Sequence, residues 1–320
     1  MNAIVPQTAL AAAMRNEGPY LLEWLAYHRV IGFEQVVIVT NDCTDGSDAL
    51  LDALATRGIV THIRQTVPEG QAPQDGAMTL ALEHLRTTDT TWLCHIDADE
   101  FLNIRLGAGR LPDLLANAKN AESIALPWLS FGDNGHHLRT LPILPNFTAC
   151  EGTPNPDTVK FKSMFRIDAF AHANDHMPQR PTRAVTAVAA DGTDLGQQPG
   201  FTEKRSKYRP LADALKPAAA VLNHYATRAS DDFLMKNHRG DGQGKASNKY
   251  HLGSKWHQIA NQNAAHDESI LRHWPGTQAL LAEWRNDAEI AALETACLAA
   301  DAAHRAEVLT PQTRACWTVS

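Results

Sequence analysis

The chain has 320 residues, 44% of them apolar, enough to bury a sizeable core in one large domain or a domain with an appendage. A net charge of -7 and the lack of any basic stripe argue against a grip on nucleic acid or on an anionic membrane. Five cysteines, odd in number and without a CxxC pair, suggest neither a disulfide framework nor a thiolate zinc site, and reduced thiols fit a cytoplasmic protein best.

Met1 to Ala13 lacks a positively charged start, and its apolar run is too short to span a membrane, so the segment is expected to be retained. Thr8–Met14 then reads as a strand. Tyr20, Leu21, Trp24, Leu25, His28 and Ile31 recur at helical spacing with Gly32 as the stop. Gln35–Thr40 is continuously apolar and β-branched, as a strand covered on both faces should be. A turn cluster at 41–47, a helix over 48–57, a strand over 59–64, a helix over 74–86 and a strand over 91–96 complete a β-α-β-α-β-α-β alternation. Parallel pairing with right-handed crossovers is the economical topology for it.

After residue 100 the rhythm breaks. A short helix is expected over 111–118, a strand over 123–129 and long loops over 130–160. Strands are expected at 162–167, 183–189 and 219–222, and a helix at 231–239. The Gly-rich stretch Arg239–Lys245 suits a connector or a lid, and 254–307 reads as helical with a break near 273–276. The domains expected are 1–245, catalytic, with a nucleotide half to about 105 and an acceptor half after it, and 246–320, a helical C-terminal extension.

In open α/β sheets ligands bind beyond the carboxyl ends of the parallel strands. Here those ends carry Arg15-Asn16-Glu17, Asn41-Asp42-Cys43-Thr44-Asp45 and Asp97-Ala98-Asp99-Glu100. Carboxylates packed at 97, 99 and 100 repel one another, and a divalent metal offsets that charge. Hard oxygen ligands suit Mg²⁺ or Mn²⁺, which bind through one or two carboxylates plus substrate phosphates. The i, i+2 spacing on an extended segment points Asp97 and Asp99 the same way. His95, inside the strand, reads as a packed histidine or one that backs a metal ligand, and Asx turns or a helix N-cap account for Asp42 as well as a ligand contact does and for Asp45 better.

The strand ending in Arg15-Asn16-Glu17, the helix with Glu23-Trp24 and His28, the 41–47 turn and the block His95-Ile96-Asp97-Ala98-Asp99-Glu100-Phe101 together resemble family 2 glycosyltransferases, and more nearly the family 92 group and its bacterial relatives. Trp128-Leu129-Ser130-Phe131-Gly132-Asp133-Asn134-Gly135-His136 resembles that group's W..FG..GH loop. Asn223-His224-Tyr225 with Phe233, Lys236 and Arg239-Gly240 resembles its NHY…F..K..RG segment. The resemblance covers about residues 8–245. It implies a GT-A fold, a mixed, mainly parallel sheet with flanking helices, and inverting transfer from a nucleotide-sugar donor to a glycan, polysaccharide or other hydroxyl acceptor. It further implies that Asn16 and Glu17 line the nucleotide pocket beside Arg15, that Asp42 contacts base or ribose, that Asp97 sits near ribose and metal with Asp99 the direct ligand, and that His224 approaches the metal or diphosphate.

Lys236, Arg239 and Lys245, beside Gly240, Gly242 and Gly244, are candidate clamps on the diphosphate, or an ordinary solvated connector. The base that takes the acceptor proton has three candidates, Asp133, Glu151 and Asp175. The resemblance favours Asp175 because family 2 enzymes place the base well downstream, although no ED-type motif stands there. Trp128, His136 and His137 are candidates for the acceptor pocket, since sugars stack on aromatic faces. The C-terminal helices suit a cap, an oligomer contact or a peripheral membrane element. Two other readings stay open, a non-catalytic nucleotide- or carbohydrate-binding protein on the same fold and a sugar-nucleotide pyrophosphorylase. Against the second, the start carries Arg15-Asn16-Glu17-Gly18 in place of a Gly-rich phosphate loop.

Overall fold

A computed structural model describes residues 7–118, 120–203, 205–239 and 248–319. The first half holds β1 (Thr8–Met14), α1 (Gly18–Ile31), β2 (Gln35–Thr40), α2 (Ser47–Thr56), β3 (Thr61–Arg64), α3 (Pro73–Leu85), β4 (Trp92–His95), β5 (Glu100–Ile104), α4 (Leu111–Leu115) and β6 (Ser123–Ser130). Next come α5 (Ile143–Asn146), β7 (Ala149–Cys150), β8 (Phe161–Arg166), β9 (Phe170–Ala173), β10 (Pro178–Pro181), β11 (Ala187–Ala189), β12 (Asp194–Gly196), α6 (Leu211–Ala214), β13 (Ala220–His224) and α7 (Ser230–Arg239). The chain closes with α8 (Lys255–Ala260), β14 (Ala265–His266), α9 (Trp274–Arg285), α10 (Ala288–Val308) and α11 (Pro311–Cys316).

The alternation read from the first half becomes one parallel block in the order β3-β2-β1-β4. Beyond β4 the sheet turns mixed. β8 runs antiparallel between β4 and β6, while β11 and β13 run parallel to β6. β5 returns antiparallel along β13, so Glu100 lies opposite His224. The result is the expected class, a mixed α/β sheet with helices on both faces and a helical C-terminal part.

Two apolar cores lie on either side of this sheet. One joins α1, α2 and the C-terminal helices to alternate residues of β1 and β2, and the other joins α3 to the opposite residues of the same strands. Helix α1 is buried almost all round because it lies between the sheet and α9 and α10, which explains its lack of a polar face. Gly32, at φ 115°, ends it in the left-handed conformation a side chain resists, and its N–H bonds back to Arg29 O. Asp287 caps α10 through the N–H groups of Glu289 and Ile290 and also takes Arg57 Nε at 2.7 Å, tying α10 to the end of α2.

Three local expectations change. β5 follows directly on the 97–99 segment, where no strand was expected, because EFLNI is too short to show a period. The helical C-terminal stretch breaks at 261–268, which holds β14, and Trp274 already begins α9. The strand expected over 183–189 shrinks to Ala187–Ala189.

Candidate active site

Beyond the carboxyl ends of β1, β2, β4 and β6 opens a cavity of about 420 Å³, lined by Met14, Arg15, Glu17, Asn41, Gln74, Asp97, Asp99, Trp128, Asp175, His176, His224 and Lys236 among others. The segment Asp97-Ala98-Asp99 is a turn and not the extended run expected, closed by Glu100 N–H on Asp97 O at 3.1 Å. Both aspartates still reach the cavity, by separate routes. Glu100 does not: it is fully buried, and its Oε2 accepts the Asp97 N–H at 2.9 Å, so it shapes the turn from below.

The charge balance differs from the one expected. Lys162, on β8 and without solvent exposure, puts Nζ 2.5 Å from Asp175 Oδ1, 3.3 Å from Asp97 Oδ2 and 3.8 Å from Glu100 Oε2. Lys236, on α7, donates to Asp99 Oδ2 at 2.5 Å and to Ala226 O at 2.7 Å. Two lysines therefore offset the carboxylates that sequence alone assigned to a dication. Burial pushes the Glu100 carboxyl well above the usual range and Asp97 up to about 6. Burial would raise Asp99 too, but Lys236, His224 and Arg228 outweigh it and hold Asp99 well below that range.

The segment after β13 forms one clamp around this turn. Tyr225 N–H holds Asp99 O at 2.8 Å, and Arg228 Nη2 holds Ala98 O at 2.9 Å. Arg228 also pairs with Glu17 at 3.1 Å and stacks over Tyr20 at 3.6 Å. Glu17, expected in the nucleotide pocket, thus lines the cavity while its carboxylate anchors Arg228. Asn16, at φ 55°, staples the β1 and β2 ends, accepting from Thr44 N at 2.8 Å and donating to Thr44 Oγ1 at 3.0 Å. It borders a neighbouring cleft with Arg15 and Glu17 and is not on the wall of the main cavity. Asp42 is exposed on the same turn, and Asn41 is the residue there that reaches the cavity.

The remaining candidates separate in the same way. Asp133 ties its loop to the segment after α8, accepting from Gly135 N, Asn261 Nδ2 and Asn263 Nδ2, and His136 packs on Phe147 at 5.0 Å; neither lines the cavity. Glu151 accepts Ser130 N at 2.8 Å, a strand-end contact, and His137 is exposed. His95 is buried in β4, its Nδ1 4.0 Å from Asp175 Oδ1. Arg239 ends α7, and its side chain lies outside the described residues, as do Gly240, Gly242, Gly244 and Lys245.

Asp175 does line the cavity, held ionised: burial would raise its carboxyl, but Lys162, His176 and His95 together keep it well below the usual range. Beside it His176 places Nδ1 2.8 Å from Phe161 O and Nε2 3.5 Å from Asp175 Oδ2. A carbonyl only accepts, so Nδ1 carries the hydrogen and Nε2 the lone pair. Burial lowers this imidazole to about 4. Trp128, 8% exposed, stacks near His224 at 4.1 Å between centroids and near His176 at 5.5 Å.

Sequence reasoning missed Lys162, Arg228 and His176. Lys162 carried a signal, a lysine inside an apolar strand, which is rarely tolerated without carboxylate partners.

For a metal, the relevant atoms are Asp99 Oδ1 and His224 Nε2, 3.7 Å apart on the cavity wall. Burial lowers His224 to about 3, so the neutral ring offers nitrogen as the carboxylate offers oxygen, a donor set that suits Mn²⁺. Among the described residues no three His, Cys, Asp or Glu side chains converge on one point, so a cation held here would have two protein ligands and would depend on substrate and water for the rest.

No family model matches the chain. A glycosyltransferase family 92 protein of Ricinus communis is 29% identical over 135 residues, covering 40% of this chain and 23% of that protein, and in a second alignment 25% identical over 222 residues, covering 69% and 35%. A family 92 protein of Oryza sativa subsp. japonica is 32% identical over 105 residues, 32% of this chain and 17% of its own. The chain spans about a third or less of the length of these curated relatives. Among solved structures, S. aureus TarS 1-349 in complex with UDP overlaps 51% of this chain and 47% of its own at TM-score 0.34 and 18% identity. HddC from Yersinia pseudotuberculosis overlaps 57% and 88% at TM-score 0.34 and 9% identity. Overlap that low bears on neither fold nor activity.

Proposed function

We propose that this chain is a GT-A glycosyltransferase that moves a sugar, with inversion, from a nucleotide-sugar to a hydroxyl acceptor with the help of Mn²⁺ or Mg²⁺. The observation that carries the reading is the turn at 97–99, clamped by Tyr225 and Arg228 so that Asp97, Asp99 and His224 share one cavity with the ends of β1 and β2. The sequence likeness to family 92 proteins supports it.

In this reading the nucleotide lies along Met14, Arg15, Asn41 and Gln74, with Asp97 toward the ribose, where Gln74 Nε2 already donates to its Oδ1 at 3.3 Å. Asp99 and His224 are the residues that would hold the cation, which when bound stabilises negative charge on the diphosphate. Lys236 is tethered to Ala226 O and stands ready to turn from Asp99 to phosphate oxygen.

The acceptor hydroxyl attacks the anomeric carbon while the bond to the diphosphate breaks, and its proton passes to Nε2 of His176. Asp175, the base expected from the sequence, is tied to Lys162 and acts by stabilising the imidazolium 3.5 Å away. Trp128, expected in the acceptor pocket, offers the acceptor an apolar face.

One observation favours a second reading, a binding protein without turnover: Lys162 and Lys236 already offset Asp97 and Asp99. A thermal-shift screen of nucleotide-sugars with and without Mn²⁺, followed by product analysis of each hit, separates the two. Stabilisation by a nucleotide-sugar with release of its nucleoside diphosphate supports the transferase, and stabilisation without release supports the binder. No response to any nucleotide-sugar removes both.

A further inference from the structure

One wall of the cavity has a chemistry the donor reading does not use. Lys160, just before β8, lies with Nζ 5.5 Å from the ring centroid of Trp128 and 5.8 Å from that of Trp256 on α8. Lys249 Nζ lies 5.2 Å from the same Trp256 ring and 4.8 Å from that of Tyr250. The two indoles stand 6.5 Å apart at 57°. Among the described residues Lys160 Nζ makes no hydrogen bond or ion pair, although Asp175 and Asp97 attract it from farther off, and Trp128 Nε1, buried, has no acceptor.

The acids of the cavity floor stay beyond ion-pair range of Lys160 and are held by other lysines, Asp97 and Asp175 by Lys162 and Asp99 by Lys236. Cation–π attraction steadies an ammonium at a ring face, but two ammonium groups drawn to one indole repel each other. An anion between them relieves that repulsion and gives Lys160 the acceptor it lacks. The aromatic faces alongside suit a sugar ring, and three strands, β8, β4 and β1, separate β6, which carries Trp128, from β2, whose end carries Asn41 on the side where the nucleotide is placed.

We infer that the acceptor is an acidic glycan, its sugar ring against Trp128 and Trp256 and its carboxylate or phosphate on Lys160 and Lys249. The inference rests on the transferase reading for what counts as acceptor, but its test separates the two. Binding of trigalacturonic acid, its fully methyl-esterified form, glucose 6-phosphate and glucose is measured by calorimetry on the full chain in 50 mM and 500 mM salt, beside UDP, GDP and ADP with Mn²⁺.

The wild type should bind at least one acid about tenfold more tightly than its neutral counterpart, as a charge-assisted contact predicts, with the margin shrinking at high salt. Lys160→Met should erase that margin, and Lys160→Arg should restore most of it. Equal binding of acid and neutral forms overturns the inference, as does a margin unchanged in Lys160→Met. A Lys160→Met variant that instead loses its affinity for the nucleoside diphosphate assigns the wall to the donor, which also overturns it. Failure of all three nucleotides to bind the wild type, with the acid preference intact, counts against the transferase reading and leaves the anionic subsite standing.

Discussion

Replacing Lys162 by Met keeps the length of a buried side chain and removes the one charge that holds three carboxyl groups together. Its ammonium is wholly buried, 2.5 Å from Asp175 and 3.3 Å from Asp97. Breaking such a buried pair from one side costs about 3–5 kcal/mol, because the remaining charge stays out of water without a partner. At about 2.1 cal/mol/K of unfolding entropy per residue, 4 kcal/mol lowers Tm by roughly 6 °C for a chain of this length.

The pH dependence makes that prediction sharper. In the wild type Asp175 is depressed by Lys162, so its contribution is present above its unfolded pKa and lost as acid protonates it in the folded state. In Lys162→Met the same buried carboxyl is raised instead, takes up a proton as pH falls, and recovers stability. Urea unfolding at pH 7.5 and pH 5 should therefore show a gap between the two proteins that narrows in acid. A gap below about 1 kcal/mol that does not move with pH would refute the charge network as described.

Glu23, buried in α1, accepts Ile143 N–H at 2.7 Å and Leu144 N–H at 2.8 Å, so Glu23→Ala strands two buried donors and should cost about 2–4 kcal/mol in chemical denaturation. His28 is wholly buried, with Nδ1 2.8 Å from Trp24 O, and burial lowers it to about 3. The unfolded chain protonates this ring near pH 6.5 while the folded one does not, so stability falls as pH drops below that value. At pH 5.5 His28→Gln should escape about 1 kcal/mol of the acid loss seen in the wild type, read from paired urea curves at pH 7.5 and 5.5. His176→Gln should lower kcat about 100-fold or more while nucleotide affinity stays within about twofold, and an unchanged kcat would transfer the base to another group.

The parallel block was legible because its two central strands are apolar and its helices punctuated: Thr8–Met14, Gln35–Thr40 and Gly32 leave little choice. Of the cavity, the strand ends that carry Arg15, Glu17, Asn41, Asp97 and Asp99 could be placed from topology alone. The geometry inside it could not. Asp97 and Asp99 were reasoned into the same cavity from an extended spacing, yet a turn sealed by Glu100 brings them there. Lys162 and Arg228 were missed because their partners lie far along the chain, as the Arg228–Glu17 pair shows. Asp133 and His136 looked like site residues by their motif, but the Gly135 turn and the Phe147 contact use them locally.

The central claim is tested most directly by calorimetric titration of the donor found in the nucleotide-sugar screen into wild type and Asp99→Asn, with and without Mn²⁺. Donor affinity in the wild type should rise by about tenfold or more with Mn²⁺, and that gain should vanish in a correctly folded Asp99→Asn. Equal affinity with and without the cation, or a gain that survives the substitution, would contradict a metal-assisted donor site at Asp99 and His224.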